Sequence, residues 1–166
     1  DARRIVIDCE EMVVELTGAE IVCRFLEDEG VEYLFGYPGG AALHIYDALY
    51  KQDAVKHILV RHEQGATHMA DGYARISGKP AVCCVITGPG VTNIATAVGN
   101  AYADSQPMLV IASTNGSGDL GAGRGRLHEI TDQLAVIKPL TAFAQTIHDG
   151  RQIPGAINRA FDIFAT

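Results

Sequence analysis

The sequence predicts a three-layer α/β/α domain with a mainly parallel sheet. Apolar runs at 58–60, 81–86 and 108–112 have the length and the bounding glycines and prolines of buried strands. The stretches between them carry helical periodicity over roughly nine to fifteen residues, so strands and helices alternate as in βαβ crossovers. No internal repeat or linker divides the chain, and 166 residues is the length of about one domain.

Residues 1–16 show only a mixed apolar and acidic pattern and read as an N-terminal arm that packs on a neighbour; the domain proper spans 17–166. Thr17-Gly18-Ala19-Glu20 has the form of a capping box, in which Thr17 caps the amide of Glu20 and Glu20 reaches back. Ile21, Val22, Phe25 and Leu26 give the first helix its apolar stripe, and Gly30 ends it. Val31, Tyr33 and Phe35 alternate as a strand, and 36–40 is a turn. A helix follows over 41–50, with Leu43, Tyr46, Leu49 and Tyr50 on its packing side. His57-Ile58-Leu59-Val60 reads as a buried strand. The next helix packs through Ala66, Met69, Ala70, Tyr73 and Ala74 and stops at Gly78-Lys79-Pro80. The strand at 81–86 is apolar throughout, as expected when both faces are covered. Gly88-Pro89-Gly90 breaks it, and 91–104 is a helix rich in small residues. After the strand at 108–112 comes a polar loop, 113–126, with five glycines in fourteen residues, which suggests mobility or a binding role. The rest reads as a short helix over 132–137, a late strand over 141–147, and a final helix from Pro154 that buries Ile157, Ala160, Phe161 and Phe164.

Bulk properties exclude several classes. A net charge of −7 argues against nucleic acid or an anionic membrane surface as partner. No apolar run approaches a membrane span, and the start of the chain lacks the h-region of a signal peptide. Of the four cysteines, none forms a C-x-x-C pair, and Cys83 and Cys84 point to opposite faces of one strand. Core filling is favoured over a metal or disulfide role, which fits a reducing, cytoplasmic setting.

Three stretches invite a chemical reading. Gly88-Pro89-Gly90-Val91-Thr92-Asn93 lies between a strand and a helix, where glycines let a ligand approach the backbone. As a dinucleotide fingerprint it fails, because Asn93 stands where the third glycine belongs and no acidic residue ends the next strand. His62-Glu63 with His68 fails the H-E-x-x-H spacing, so no zinc site is expected. Neither a nucleophile elbow nor a Walker A lysine occurs. Glu63 stands where a parallel strand hands over to a helix. Alone it reads as a solvated or capping carboxylate, yet ligands of open α/β sheets bind at this end.

Taken together, 32–41, 45–49, 61–75 and 88–93 resemble the thiamine-diphosphate enzymes, over about residues 17–165, as their N-terminal pyrimidine-binding domain. The likeness is strongest to the large, catalytic subunit of acetolactate synthases. It implies that Glu63 hydrogen-bonds N1′ of the cofactor's aminopyrimidine ring and favours the imino tautomer that lets the thiazolium carbon lose its proton. It further implies that Tyr37, Pro38, Gly39 and Gly40 form the loop beside the ring, and that Pro89 and Asn93 line it. The implied reaction is decarboxylation of a 2-oxo acid such as pyruvate and condensation with a second 2-oxo acid, in branched-chain amino acid biosynthesis. A related decarboxylase or carboligase, and a non-catalytic oligomerisation or regulatory module, remain alternatives.

The chain departs from the family pattern at Leu127-His128-Glu129, where acetolactate synthases usually carry Phe-Gln-Glu near the substrate, and at Ala142, often a lysine. These differences put the substrate in doubt. His128 reads either as a proton relay or as a polar loop residue. The family's central and diphosphate-binding domains are absent, since Gly118-Asp119-Leu120 is no G-D-G. Mg²⁺ and any FAD belong with those domains, so this chain carries half a site and is expected to be inactive alone. A homo-oligomer, dimer or tetramer, is expected from the helix faces around Tyr73 and 91–101.

Overall fold

The computed structural model describes residues 4–9 and 12–166, with side chains from Glu15 onward. Its elements are β1 (Arg4–Cys9), β2 (Met12–Thr17), α1 (Gly18–Asp28), β3 (Tyr33–Gly36), α2 (Leu43–Tyr50), β4 (Lys56–Leu59), α3 (Glu63–Ser77), β5 (Ala81–Val85), α4 (Pro89–Ala103), β6 (Met108–Ala112), α5 (Gln133–Ile137) and α6 (Ile153–Phe164). The four strands β3 to β6 form one parallel sheet in the order β4-β3-β5-β6. On one face, α1, α2 and α6 pack against Leu34, Val82 and Cys84; on the other, α3 covers Phe35, Ala81 and Cys83, and α4 covers Val85. The predicted three-layer α/β/α architecture is therefore present, and Cys83 and Cys84 do point to opposite faces.

Local chemistry sets the helix ends. The Thr17 hydroxyl accepts the Glu20 amide at 3.2 Å and the Glu20 carboxylate accepts the Thr17 amide at 2.7 Å, completing the capping box. Gly30 and Gly78 both take φ of +69° beyond α1 and α3, a left-handed conformation that costs glycine least.

Several expectations need correction. Part of the expected arm is a two-stranded antiparallel ladder, β1 with β2, in segments rich in β-branched residues. Residues 1–3 and 10–11, and the side chain of Cys9, lie outside the described residues. β4 is not a buried strand: it lies at the edge of the sheet, and Leu59 is 61% exposed. In α2, Leu43 and Tyr50 face solvent, and Ala48 and Leu49 do the packing. Met69 likewise lies on the exposed side of α3, while Thr67 and Asp71 are buried. The helix expected at 91–104 starts two residues earlier, because Pro89 has the pre-set φ of a first helical turn. No strand forms over 141–147; the segment has no ladder to join.

Candidate active site

All four parallel strands end at the same edge of the sheet, so the segments after β3, β4, β5 and β6 gather there. In chain order β3 and β4 lead away from the centre, and the chain then crosses back to β5 on the other side of β3. The reversal lies between β3 and β5, where α2 follows on one face and α3 precedes on the other. Open α/β sheets bind ligands at such a point.

Glu63 opens the first turn of α3 and is only 7% exposed. Its backbone position is set by His62, whose Nδ1 accepts the Gln64 amide at 3.2 Å as the N-cap. Asn93, one turn into α4, donates from Nδ2 to Glu63 Oε2 at 2.9 Å. Oε1 takes no donor among the described residues. A Cβ on Gly90 would stand 3.7 Å from that oxygen and 2.7 Å from Ile86 Cγ2. Glycine at 90 thus keeps open a cradle with a carboxylate oxygen on one side and an isoleucine on the other. Gly39 closes on the same Ile86, since a Cβ there would overlap its side chain.

Asp71, two turns along α3, provides an internal comparison. It is equally buried at 7%, yet both of its oxygens are engaged: Arg75 Nε donates to Oδ1 at 3.0 Å and Asn100 Nδ2 to Oδ2 at 3.1 Å. Two buried acids therefore lie on one helix, one sealed and one half open. Burying a carboxylate is costly unless its charge is answered. The N-terminus of α3 and the Asn93 amide answer part of it, and the remaining oxygen faces the Gly90 cradle.

The other expected site residues are placed as follows. Gly40 lies beside Leu127, its Cβ position 3.9 Å from Leu127 Cδ2. A Cβ on Gly88 would overlap the His128 carbonyl oxygen, so the 127–128 segment does pack onto both turns. The His128 backbone makes this approach, with φ of +57°; its exposed ring forms no hydrogen bond among the described residues. Tyr37, Pro38 and Pro89 are exposed on the rim and none bonds to Glu63.

Sequence reasoning missed the group beneath the Gly88 turn. Gln133 Oε1 accepts the Thr87 hydroxyl at 2.7 Å and the Gly88 amide at 2.9 Å, while its Nε2 donates to the Ser113 carbonyl at 3.0 Å. Ser113 Oγ in turn accepts the Thr87 amide at 3.1 Å. The separation between 87 and 133 leaves no local pattern to detect. Tyr46 was read as packing, but its hydroxyl also donates to the Cys84 carbonyl at 2.9 Å, across the place where Gly36 admits no side chain. Burial holds the Tyr46 phenol well above its usual range.

The glycine-rich 113–126 loop is folded on itself. The Glu129 carboxylate accepts the amides of Gly123, Arg124 and Arg126, and Asp119 pairs with Arg124 and Arg126. The Arg126 amide, with those of its neighbours, holds the Glu129 carboxyl below its usual range. Among the described residues no group of three or more His, Cys, Asp or Glu side chains is arranged to hold a metal ion.

Known proteins resemble this chain over most of its length. The family model described as "Thiamine pyrophosphate enzyme, N-terminal TPP binding domain" matches residues 16–136. A Pseudomonas aeruginosa protein named "Probable 2-ketoarginine decarboxylase" is 53% identical over 149 residues, which is 90% of this chain and 26% of that protein. The acetolactate synthase large subunit of Haemophilus influenzae is 45% identical over 152 residues, 92% of this chain and 26% of its own length. A "Probable acetolactate synthase large subunit" of Methanocaldococcus jannaschii is 47% identical over 151 residues, 91% of this chain and 25% of its own. The chain thus spans about a quarter of the length of these relatives.

Proposed function

We propose a function from the premise that family membership supplies: this chain belongs to the thiamine pyrophosphate enzymes, as their N-terminal TPP-binding domain. It acts within a longer polypeptide that decarboxylates a 2-oxo acid and condenses the product with a second 2-oxo acid, in the manner of acetolactate synthase. The observation that carries this reading is the half-open carboxylate of Glu63 beside the Gly90 cradle. When bound, the cofactor's thiazolium supplies the electron sink for decarboxylation. The residues of this chain bind and orient its aminopyrimidine ring. Asn93 fixes the Glu63 carboxylate, Glu63 Oε1 would hold a proton at the ring nitrogen, and Ile86 would give the ring an apolar support. The absence of a side chain at Gly90 lets the ring lie close. A planar, basic, aromatic group fits this donor set; a phosphate does not, since a carboxylate would repel it.

Diphosphate and Mg²⁺, and FAD where it is used, are assigned to domains beyond this chain, with the site completed by the diphosphate-binding domain of the same or another subunit of a homo-oligomer. No described helix is long and apolar enough to cross a membrane, and we place the protein in the cytoplasm. A second reading is favoured by two observations. The relative at 53% identity is named a decarboxylase, and Leu127-His128 departs from the Phe-Gln of acetolactate synthases. In that reading the product leaves without condensing.

The test uses the full-length protein with pyruvate and, separately, with 2-ketoarginine, following carbon dioxide release and acetolactate formation. Acetolactate from pyruvate supports the first reading, and carbon dioxide from 2-ketoarginine without acetolactate the second. Glu63→Gln is expected to reduce either turnover by orders of magnitude with the fold unchanged. Near-normal turnover in that variant would remove Glu63 from the mechanism.

A further inference from the structure

The 126–129 segment closes around one side chain. The Glu129 amide donates to the Arg126 carbonyl at 2.9 Å, and Glu129 Oε2 accepts the Arg126 amide at 2.9 Å. Glu129 therefore grips both peptide groups of Arg126, and Leu127 and His128 form the turn between them. His128 takes φ of +57° in this turn, a conformation that costs a residue with a Cβ and persists only where its surroundings enforce it. Glu129 Oε1 reaches on to the amides of Gly123 at 2.8 Å and Arg124 at 3.3 Å. Gly123 and Gly125 have φ of +62° and +69°, and this alternation aims successive amides at one point, as in an anion-binding nest. The protein's own carboxylate fills that nest, so it is no vacant site for a phosphate. Asp119 ties the same two arginines by their side chains, at 3.0 Å from Arg124 Nη1 and 3.0 Å from Arg126 Nε.

The turn held in this way bridges the crevice. Leu127 meets the Gly40 turn, and the His128 carbonyl meets the Gly88 turn. Those two turns also close on Ile86 through Gly39 and Gly90, and Gly90 borders Glu63. A piece of chain that touches both flanks sets the width of the mouth between them. Leu127 is 68% exposed, so packing fixes the turn little and its place depends on the hydrogen bonds of Glu129. We propose that Glu129 is a positioning residue for the 2-oxo acid: by gripping Arg126 it holds Leu127 and His128 across the mouth through which that substrate enters. The inference rests on the functional reading above. The cofactor side of the crevice has ties of its own, since Asn93 holds Glu63 and Gln133 holds the Gly88 amide. Loosening Glu129 therefore weakens the hold on the substrate and spares the hold on the ring.

Glu129→Gln in the full-length protein is the test, because one carboxylate oxygen becomes an NH₂ that meets an amide donor. Residue-resolved hydrogen exchange without cofactor or substrate reads the grip. The Gly123, Arg124 and Arg126 amides should exchange at least about tenfold faster than in the wild type, and the Gly88 amide at an unchanged rate. Steady-state kinetics, on whichever of pyruvate and 2-ketoarginine the wild type turns over, read the role. KM for the 2-oxo acid should rise about tenfold, with kcat and the half-saturating thiamine diphosphate concentration within about twofold. Glu129→Asp keeps the charge with a shorter reach; its KM should fall between the two, and it carries the same criteria if the glutamine variant does not fold. Unchanged amide exchange would overturn the grip. Faster exchange with an unchanged KM would overturn the positioning role and leave a tie within the loop. Losses in kcat and cofactor affinity as large as the rise in KM would mark a general loosening and overturn it as well. A wild type inactive on both acids, a result read before any variant, would instead remove the functional reading and the role that rests on it.

Discussion

Gln133→Leu removes the amide that ties the Gly88 turn to β6 while keeping a side chain of similar size. Three hydrogen bonds are lost, those with Thr87 Oγ1, Gly88 N and the Ser113 carbonyl. At roughly 0.5–1.5 kcal/mol each, the sum is about 3 kcal/mol. Thr87 is only 4% exposed, so its hydroxyl gains little from water in the variant. Gln133 itself is half-buried, which lets water replace part of the rest; the net cost is about 2–3 kcal/mol. For a chain of this size that corresponds to a fall in Tm of about 4–12 °C. Equilibrium urea denaturation checks it: the midpoint should fall with an unchanged slope, since no surface is newly exposed on unfolding. Thr87→Val in the same background should then cost much less than it does alone, because the two share a bond. A loss below about 0.5 kcal/mol, the level of an ordinary surface substitution, would refute the view that Gln133 holds the turn that carries Pro89 and Asn93.

Gly88→Ala combines a left-handed φ of +64° with overlap on the His128 carbonyl; a loss of about 2–4 kcal/mol is expected by chemical denaturation. Thr17→Ala breaks the capping box of α1 and should cost about 1 kcal/mol in the same assay. Burial pushes the Cys84 thiol up to about 12, and burial with the nearby Glu20 charge pushes Cys23 up to about 11, from an ordinary 9.0. Folded thiols therefore keep protons that unfolded ones lose. The contribution is fully present below pH 9 and declines as pH rises through 11, so the urea midpoint should fall across that interval. At pH 8 iodoacetamide should leave Cys83 and Cys84 unmodified until the protein is unfolded.

What was legible in the sequence was local or strictly periodic. Thr17 and Glu20 are three residues apart, and their box follows from that spacing. The Ala81–Val85 run has no polar residue, so only a strand covered on both faces suits it. Burial on α2 and the exposure of Leu59 were not legible, because they depend on β4 standing at the edge of the sheet, and strand order is a non-local property. Glu63 was found as a strand-end carboxylate, but its bond to Asn93 joins two turns of helix from different βαβ units. Gln133 had no signal at all: its three partners come from the ends of β5 and β6, far earlier in the chain. The strand expected at 141–147 shows the converse. A strand is a relation between two segments, and no ladder reaches this one.

The contrast between Asp71 and Glu63 separates a structural acid from a functional one by measurement. Both are 7% exposed and both lie on α3. Asp71 is held by Arg75, which also reaches Asp104 at 2.7 Å, and by Asn100, so it joins α3 to α4. Asp71→Asn loses the charge that Arg75 answers. Charge-assisted bonds carry about 1.5–3 kcal/mol, and the Arg75 side chain is 37% exposed, so screening reduces the expected cost to about 1–2 kcal/mol. Glu63→Gln keeps an acceptor for Asn93 and removes a buried charge whose second oxygen has no donor. Its stability should be unchanged or higher by up to about 1 kcal/mol, as is common where a site is kept for function at the expense of stability. The two variants should therefore differ in opposite senses: Asp71→Asn less stable but active in the full-length protein once folded, Glu63→Gln stable but inactive. Paired urea denaturation and turnover assays decide it. If Glu63→Gln were destabilised as much as Asp71→Asn, the Glu63 carboxylate would be a second structural tie, and the open oxygen would carry no functional meaning.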